Sequence, residues 1–518
     1  MTPKDDSDSG GAGAQSMPGE RTSLWLGTTP ETDYGPLDGG AAVDTAVIGG
    51  GIVGLTAATL LAEAGQRVAV LERGRILEGV TGKTTAKLTS QHGLLYDTLV
   101  SSFGERRARQ YARANEAAKE HVAERVEREG IDCGFRRLPA YTYVDSPEKK
   151  RKVKREVEAA RKVGLPAEYA ESLPLDADAA AAVRFDDQAQ FHPREYLLSL
   201  AASLTENGGR IYEDTRALDI DDGRRCRVST DRGEVRADAV VVATHFPMSD
   251  PALYFARMHP KRSYVLAARV DDPPREGMFY RTGRQYFSVR THEIDGETLT
   301  LVGGQNHKTG QGGDTSKRYR KLEQAARRHF DVQSIEYRWS TQDYVSVDKV
   351  PYVGKIGPTA RNVYVGTGFG GWGMTSGTAA GMILSDLIRG DGNPWAEVFD
   401  PARVTLGPSA REFATQNANV AKEFVGDWLT KPLGNDLRNL PRGEAKVSRK
   451  GGEPVAAYRD EGGELHAVSA VCPHMYCVLE WNDGERTWDC PCHGSRFGYD
   501  GHVIDGPAVR DLPTRDAE

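Results

Sequence analysis

The alternation of apolar and polar positions divides the chain into three stretches of different character. Residues 44–72 read strand, tight turn, helix, strand. Thr45–Ile48 is apolar and β-branched, Gly49–Gly54 is the turn, Leu55–Ala64 is helical, and Arg67–Leu71 is a second strand, which makes a βαβ unit. Residues 104–130 form a long charged helix whose one apolar face is Tyr111, Ala114, Ala118 and Val122. The basic run at 147–155 reads as a solvated helix face, because Pro147 follows Ser146 as a helix start and Val153, Val157 and Ala160 form an apolar stripe.

A second α/β block follows: a helix over Glu195–Glu206, a strand over Arg210–Glu213, a hairpin near Asp221–Gly223, and a buried strand at Ala239–Ala243. Between 250 and 340 the strands Ser263–Val270, Gln285–Arg290 and Thr298–Gly303 alternate with polar turns, a sheet suited to holding a substrate. Asn362–Gly366 is a strand, Gly368–Gly373 a glycine loop and Met374–Ile388 a helix. A connecting helix at about 417–428 leads, near residue 433, into short strands and turns. The fold class is therefore α/β, with an inserted mixed-sheet substrate domain and a small all-β C-terminal domain.

Composition removes several classes. The 518 residues exceed one domain; Lys+Arg is 67 against Asp+Glu 74, a net charge of −7, so no basic excess points to nucleic acid. The uncharged runs at 45–62 and 362–385 are interrupted by glycines at loop spacing, so no membrane span is expected. Residues 1–23, acidic and rich in Gly and Ser at their start, read as a disordered tail without a secretory signal, which points to the cytoplasm.

Gly49, Gly50, Gly51 and Gly54 fit a GxGxxG turn between strand and helix, and Glu72 ends the next strand, 23 residues after Gly49. Glycines let a backbone approach a pyrophosphate at a helix N-terminus, and an acid at this spacing can accept from a ribose. The pattern says dinucleotide without choosing between NAD and FAD. A second GxGxxG at 368–373 has no acid-terminated strand about 20 residues on, so it is not a second site of the same kind. A glycine loop at a late helix N-terminus suits the pyrimidine end of a flavin.

Here the chain resembles FAD-dependent oxidoreductases of the D-amino-acid oxidase/glycine oxidase superfamily. The likeness covers about residues 24–412, through DTAVIGGGIVGLTAATLLAEAGQRVAVLER, GVTGKTTAKLTSQHG, AVVVATHFP and VYVGTGFGGWGMTSGTAAG. It implies FAD-binding segments at about 44–130, 185–249 and 341–412, and substrate segments at about 131–184 and 250–340. It also implies that Gly49, Gly50, Gly51, Gly54, Glu72 and Arg73 hold the ADP part, with Thr81, Gly82, Thr84 and Thr85 near the pyrophosphate and ring. Gly371, Trp372, Gly373 and Met374 would approach the isoalloxazine. Ala243-Thr244-His245 departs from the usual Ala-Thr-Gly, so Thr244 is the adenine-side candidate. His92 is merely near a position at which some relatives attach flavin covalently.

Four of the six cysteines crowd into residues 472–492, a pattern of a local metal or redox site rather than a secreted scaffold. Cys472 and His474, then Cys490 and His493, lie on segments that two hairpin tips could bring together. Such a set could take zinc, or a 2Fe-2S cluster with two thiolates on one iron and two imidazoles on the other. CPHMYC, CPCHGS and the loop Asp505-Gly506-Pro507-Ala508 resemble the Rieske family over about residues 433–518. That resemblance makes Cys472, His474, Cys490 and His493 the ligands, pairs Cys477 with Cys492 in a disulfide, and gives Ser495 a hydrogen bond to a bridging sulfide. Phe497 stands where high-potential members carry tyrosine, so the potential is expected below theirs, within the family's span of about −150 to +300 mV. Cys133 and Cys226 read as ordinary thiols. Among the remaining histidines no close pair with a carboxylate suggests a mononuclear iron triad.

The expected activity is oxidation of an amine or amino acid at a C–H next to nitrogen, with hydride passing to FAD and electrons leaving singly through the cluster. The external partner would be a protein or quinone. The alternative is a flavo-iron-sulfur reductase, relay or sensor with electrons entering through the cluster. Tyr280, Ser288, Arg290, His307 and Gln342 are the candidate substrate residues. Arg290 is the choice for a carboxylate clamp because a guanidinium binds bidentately. Trp339 and Trp372 are candidates for flavin-pocket walls.

Overall fold

The computed structural model describes residues 17–283, 286–404, 408–430, 437–450 and 452–516. Its central layer is a six-stranded sheet in the order Tyr352–Lys355, Val363–Thr367, Ala239–Val242, Thr45–Ile48, Val68–Leu71 and Arg210–Tyr212. All neighbours are parallel except the first pair. Because the side chains of a strand alternate, each strand feeds two cores. Val47, Val70 and Val241 pack towards the helices Ile52–Glu63 and Gly373–Arg389. Ile48, Leu71, Val240 and Val242 face a four-stranded sheet that includes Cys226–Thr230 and Gly233–Ala237. Burial on both faces is why these strands read as continuous apolar runs.

The substrate-side sheet has nine strands. Val332–Ser346, Met258–Val270, Glu297–Lys308 and Phe287–Ile294 run antiparallel in that order. Met278–Arg281 then joins them to Arg136–Val144, Ala181–Gln190 and the two-residue edge Lys87–Leu88, with Ala167–Ala170 pairing beside this path. The helix expected at 104–130 runs over Tyr96–Glu129 and breaks at Gly104, whose φ is 77°; Tyr111, Ala114, Ala118 and Val122 are its buried stripe. The basic run starts a helix over Lys150–Lys162 that buries Val153, Val157 and Ala160.

Part of the expected tail is ordered. Of the expected disordered residues, 1–16 lie outside the described residues, but 17–23 are built into the body. Glu20 N–H donates to the Glu336 carbonyl at 2.7 Å and Arg338 N–H to that of Glu20 at 2.8 Å, while Ser23 caps the short helix Leu24–Gly27. Gly19, with φ 84°, permits the approach: a Cβ there would lie 2.9 Å from Ile335.

The connecting helix extends over Pro408–Thr430, and the boundary expected at 433 falls outside the described residues. Beyond it lie a three-stranded sheet (Ala445–Lys450, Glu453–Arg459, Leu465–Ser469) and a four-stranded sheet (Glu480–Asn482, Thr487–Asp489, Arg496–Gly498, Val503–Asp505). Among the described residues no helix is long and apolar enough to cross a membrane.

Candidate functional site

The first glycine turn is dictated by close packing. Gly49 has φ 108°, and a Cβ there would lie 2.5 Å from the Ala243 carbonyl oxygen; one on Gly54 would lie 1.9 Å from that of Gly49. Only glycines let the helix Ile52–Glu63 start so near the sheet. Glu72 accepts from Gly50 N–H at 2.8 Å and Gly74 N–H at 3.3 Å, and Thr81 Oγ1 accepts from Ile52 N–H at 3.2 Å. The second turn also needs glycine, with φ of 82°, 63° and 95° at Gly368, Gly370 and Gly371, and Asp343 accepts from Gly371 N–H at 2.5 Å.

Both turns open on one cavity of about 620 Å³, lined by Gly49, Gly51, Glu72 and Arg73, by Thr81, Thr84, Thr85 and Thr244, and by residues 371–374. Gly50, Gly54 and Gly82 are not on its wall. They allow close packing behind it: a Cβ on Gly82 would meet the Leu77 carbonyl oxygen at 2.1 Å. A cavity that joins two helix N-termini, with glycines where a Cβ would not fit, suits a flavin dinucleotide.

At the substrate end the picture changes. Tyr280, Ser288 and Gln342 line the cavity. Arg290, the expected carboxylate clamp, does not: it is fully buried, donates to the carbonyls of Ala86 at 2.6 Å and Phe191 at 3.4 Å, and lies 5.1 Å over the Trp25 ring. Its donors serve the fold. His307 is also off the wall, hydrogen-bonded to Tyr264 Oη at 3.0 Å. Trp339 likewise stands behind it, its indole N–H on the Lys83 carbonyl at 2.9 Å. Trp372 is on the wall, its ring 5.3 Å from that of Tyr280.

Three lysines that sequence reasoning missed, Lys83, Lys87 and Lys261, line the cavity instead. Lys87 Nζ donates to Ser288 Oγ, and burial, with Arg290 nearby, pulls its pKa down to about 7. Lys261 sits 5.1 Å over the Tyr286 ring, and burial lowers its pKa too. The only available sign of Lys87 was a lysine in the otherwise small and hydroxylic run GKTTAKLTS. His92 is not on the wall. Its Nδ1 lies 2.5 Å from Tyr111 Oη and its Nε2 2.8 Å from the Thr89 carbonyl, so both nitrogens are engaged.

In the C-terminal domain two loops of like build face each other. Tyr476 N–H bonds the Cys472 carbonyl at 2.9 Å and Gly494 N–H that of Cys490 at 3.1 Å; φ is positive at both Tyr476 and Gly494. The Cys477–Cys492 disulfide joins the loops, with a Cα–Cα distance of 6.6 Å. The remaining thiols, Cys472 and Cys490, are buried. The imidazoles of His474 and His493 stand perpendicular, 5.1 Å between centroids, and the Nδ1 atom of each is buried without a hydrogen-bond partner. Burial holds both rings neutral, with pKa values near 4 and 3. Two thiols and two orphaned, neutral imidazole nitrogens fit a 2Fe-2S cluster with mixed ligation. Ser495 Oγ accepts from Ala508 N–H at 3.0 Å, and Phe497 is fully buried. Cys133 and Cys226 lie elsewhere as buried thiols, pushed up to about 12 and 11 by burial.

The two sites adjoin. Arg496 and residues 502–509 of the C-terminal domain form part of the wall of the cavity that the glycine turns open on. Arg73 donates to the Ile504 carbonyl. Tyr344 Oη lies 3.0 Å from the His493 carbonyl oxygen and 2.8 Å from that of Gly506, while Gln342 Nε2 donates to Gly494 at 2.8 Å. Gln342 thus meets the cluster loop as well as the cavity. A buried Arg262–Glu485 ion pair at 3.2 Å and the bonds of Thr315 to Asn482 and Asp483 anchor the domain separately.

Comparison with known proteins agrees with both halves. The family model "FAD dependent oxidoreductase" matches residues 44–387, and the "Rieske [2Fe-2S] domain" model matches residues 434–516. The chain is 39% identical over 498 residues to the putative Rieske 2Fe-2S iron-sulfur protein YhfW of Bacillus subtilis (strain 168), covering 96% of this chain and 98% of that one. It is 26% identical over 399 residues to gamma-glutamylputrescine oxidoreductase of Escherichia coli (strain K12), 74% of this chain and 91% of the relative. The crystal structure of glycine oxidase from Geobacillus kaustophilus superposes with a TM-score of 0.58 at 21% identity, covering 71% of this chain and all of that one, a likeness of fold.

Proposed function

The chain belongs to the FAD dependent oxidoreductase family and ends in a Rieske [2Fe-2S] domain, and from that premise we propose that it dehydrogenates a small carboxylate-bearing amine and passes the electrons singly to an external acceptor. The observation that carries the electron route is the shared wall: Arg496 and residues 502–509 of the cluster domain close the cavity that the two flavin turns open. When bound, the flavin takes two electrons from a C–H next to nitrogen and the cluster carries one at a time.

The chain's residues supply the rest. Tyr280, Tyr286, Trp372 and Met374 give the cavity an aromatic and apolar section that excludes water around the reacting carbon. Lys87 and Lys261 face it without an ion-pair partner among the described residues. Cations withdrawn from water favour an anionic ligand, which supports a carboxylate on the substrate. With a pKa near 7, Lys87 Nζ can also take the proton that a substrate ammonium must lose before oxidation. The names of the two relatives just described, an oxidoreductase of a glutamylated amine and a glycine oxidase, support the same substrate class.

The test is anaerobic mixing of the holoenzyme with matched pairs, each an amino acid and the amine left by removing its carboxylate. Flavin bleaching by the acids, followed by growth of the paramagnetic signal of the reduced cluster, is the expected result. Bleaching by the bare amines alone would overturn the carboxylate assignment. If no member of the panel bleaches the flavin while a reduced protein donor fills the cluster, electrons enter from the other side and the dehydrogenase reading fails.

A further inference from the structure

We propose that Gln342, Asp343 and Tyr344 form a strut that fixes the cluster loop over the flavin turn in the position from which electrons cross, with Tyr344 as the principal positioning residue. This rests on the electron route proposed above and deepens it. The three residues are consecutive on the strand Val332–Ser346, so their side chains alternate: 342 and 344 project to one face and 343 to the other. One extended segment can therefore hold two loops at once.

The contacts follow that alternation. Asp343 Oδ2 accepts from Gly371 N–H of the flavin turn at 2.5 Å. On the other face Gln342 Nε2 donates to the Gly494 carbonyl at 2.8 Å, and its Oε1 accepts from Thr309 Oγ1 at 2.6 Å, which fixes the amide orientation. Tyr344 Oη stands between the carbonyls of His493 and Gly506 at 3.0 Å and 2.8 Å. The first belongs to a cluster ligand and the second to the loop that walls the cavity. Both side chains are buried, so neither carbonyl can exchange its partner for bulk water. The loop is also pressed against the body: a Cβ on Gly494 would lie 2.5 Å from Pro260, the register partner of Tyr344 on the adjoining strand.

Loss of the Tyr344 hydroxyl need not release the domain. Its ring packs edge-on against His245 and Phe246, with centroids 4.8 and 4.9 Å away, and a phenylalanine keeps that packing. Arg262–Glu485 and Thr315–Asp483 hold the domain elsewhere. What Tyr344→Phe removes is the local tie between the strand and the cluster loop.

The experiment is anaerobic laser-flash photoreduction of the flavin in the full chain carrying both cofactors, which needs no substrate. Transfer to the cluster is followed by its absorbance and, in frozen samples, its paramagnetic signal. Tyr344→Phe is expected to slow transfer by up to about tenfold, the change that one lost buried hydrogen bond makes in the equilibrium between the competent and displaced arrangements. The cluster midpoint potential, its spectrum and the yield of flavin photoreduction stay as in the wild type. Gln342→Met, which removes the Gly494 tie together with the bond from Thr309 but leaves the Tyr344 hydroxyl in place, shifts the rate in the same direction and carries the test if Tyr344→Phe does not load its cluster. Thr315→Val, which loosens the anchor to Asn482 and Asp483 and touches neither the strut nor the cluster loops, lowers the Tm more but slows transfer less. A wild-type transfer rate in Tyr344→Phe, or an equal slowing in Thr315→Val, overturns the strut. Absence of transfer in the wild type itself sinks the electron route instead, so the two failures are distinguishable.

Discussion

Adding one methyl group at two positions of the first glycine turn separates dinucleotide binding from folding. Gly51 precedes the helix Ile52–Glu63 with φ −91°, which any L-residue adopts, and an added Cβ would meet only Thr81 Oγ1, at 3.1 Å. The fold of Gly51→Ala is therefore expected to lose no more than about 1 kcal/mol, the difference between Gly and Ala at a helix N-cap. The same methyl group stands on the cavity wall, beside the amides that a pyrophosphate must reach. Loss of one charge-assisted hydrogen bond, about 1.5–3 kcal/mol, raises the Kd for FAD about ten- to hundredfold. In Gly54→Ala the Cβ falls 1.9 Å from the Gly49 carbonyl oxygen and 3.1 Å from Val47, so backbone must move. An overpacking cost of about 1–3 kcal/mol is expected there, with a lower Tm and little bound flavin. The assay is titration of apoprotein with FAD by quenching of flavin fluorescence, alongside thermal unfolding; the cluster signal should survive in both variants. Wild-type FAD affinity in Gly51→Ala would falsify the placement of the pyrophosphate, and a wild-type Tm in Gly54→Ala would refute the close-approach argument.

Three further outcomes are expected. Phe497→Tyr places a hydroxyl in the buried core beside the cluster ligands and should raise the cluster midpoint, by about 60 mV for each tenfold by which the new bond favours the reduced form; redox titration showing no rise, or a fall, counts against the argument from Phe497. Glu156 accepts from the N–H groups of Tyr96 and Asp97 at 2.7 and 3.0 Å, and burial lifts its pKa from 4.5 to about 7. The folded state therefore holds the proton more tightly than the unfolded one. Stability from this group is full below pH 4.5 and is lost as pH rises towards 7, by about 3 kcal/mol, and Glu156→Gln should flatten Tm between pH 4.5 and 7. Asp348→Asn breaks the buried pair with Arg403 at 2.8 Å and should cost about 3–5 kcal/mol in urea unfolding of the flavin-domain transition, because the guanidinium is left uncompensated.

What the sequence made legible was local. The turn at 49–54 and the stripe Tyr111, Ala114, Ala118 and Val122 follow from neighbouring residues, and the ligand loops from short motifs; each lies where those signals put it. Arg290 shows where residue type stops being informative. It shares a face of its strand with Ser288, which does line the cavity, but the two-residue step between them carries it about 7 Å further along. There it lies over Trp25, from a four-residue helix too short to show any periodicity. Gln342 was singled out as a polar residue suited to a substrate, and its main partner is a carbonyl 152 residues away. The same holds for the other ties between the domains. Arg73, Gln342 and Tyr344 all donate to backbone oxygens, those of residues 504, 494, 493 and 506. A carbonyl is present at every residue, so the accepting side of this interface has no signature in amino-acid identity. Only the donors could have been read, and they resemble any polar residue on a strand until the cluster domain is set against them. The contact between the flavin-side strand and the cluster domain is therefore the part of the molecule that a linear reading is least able to find.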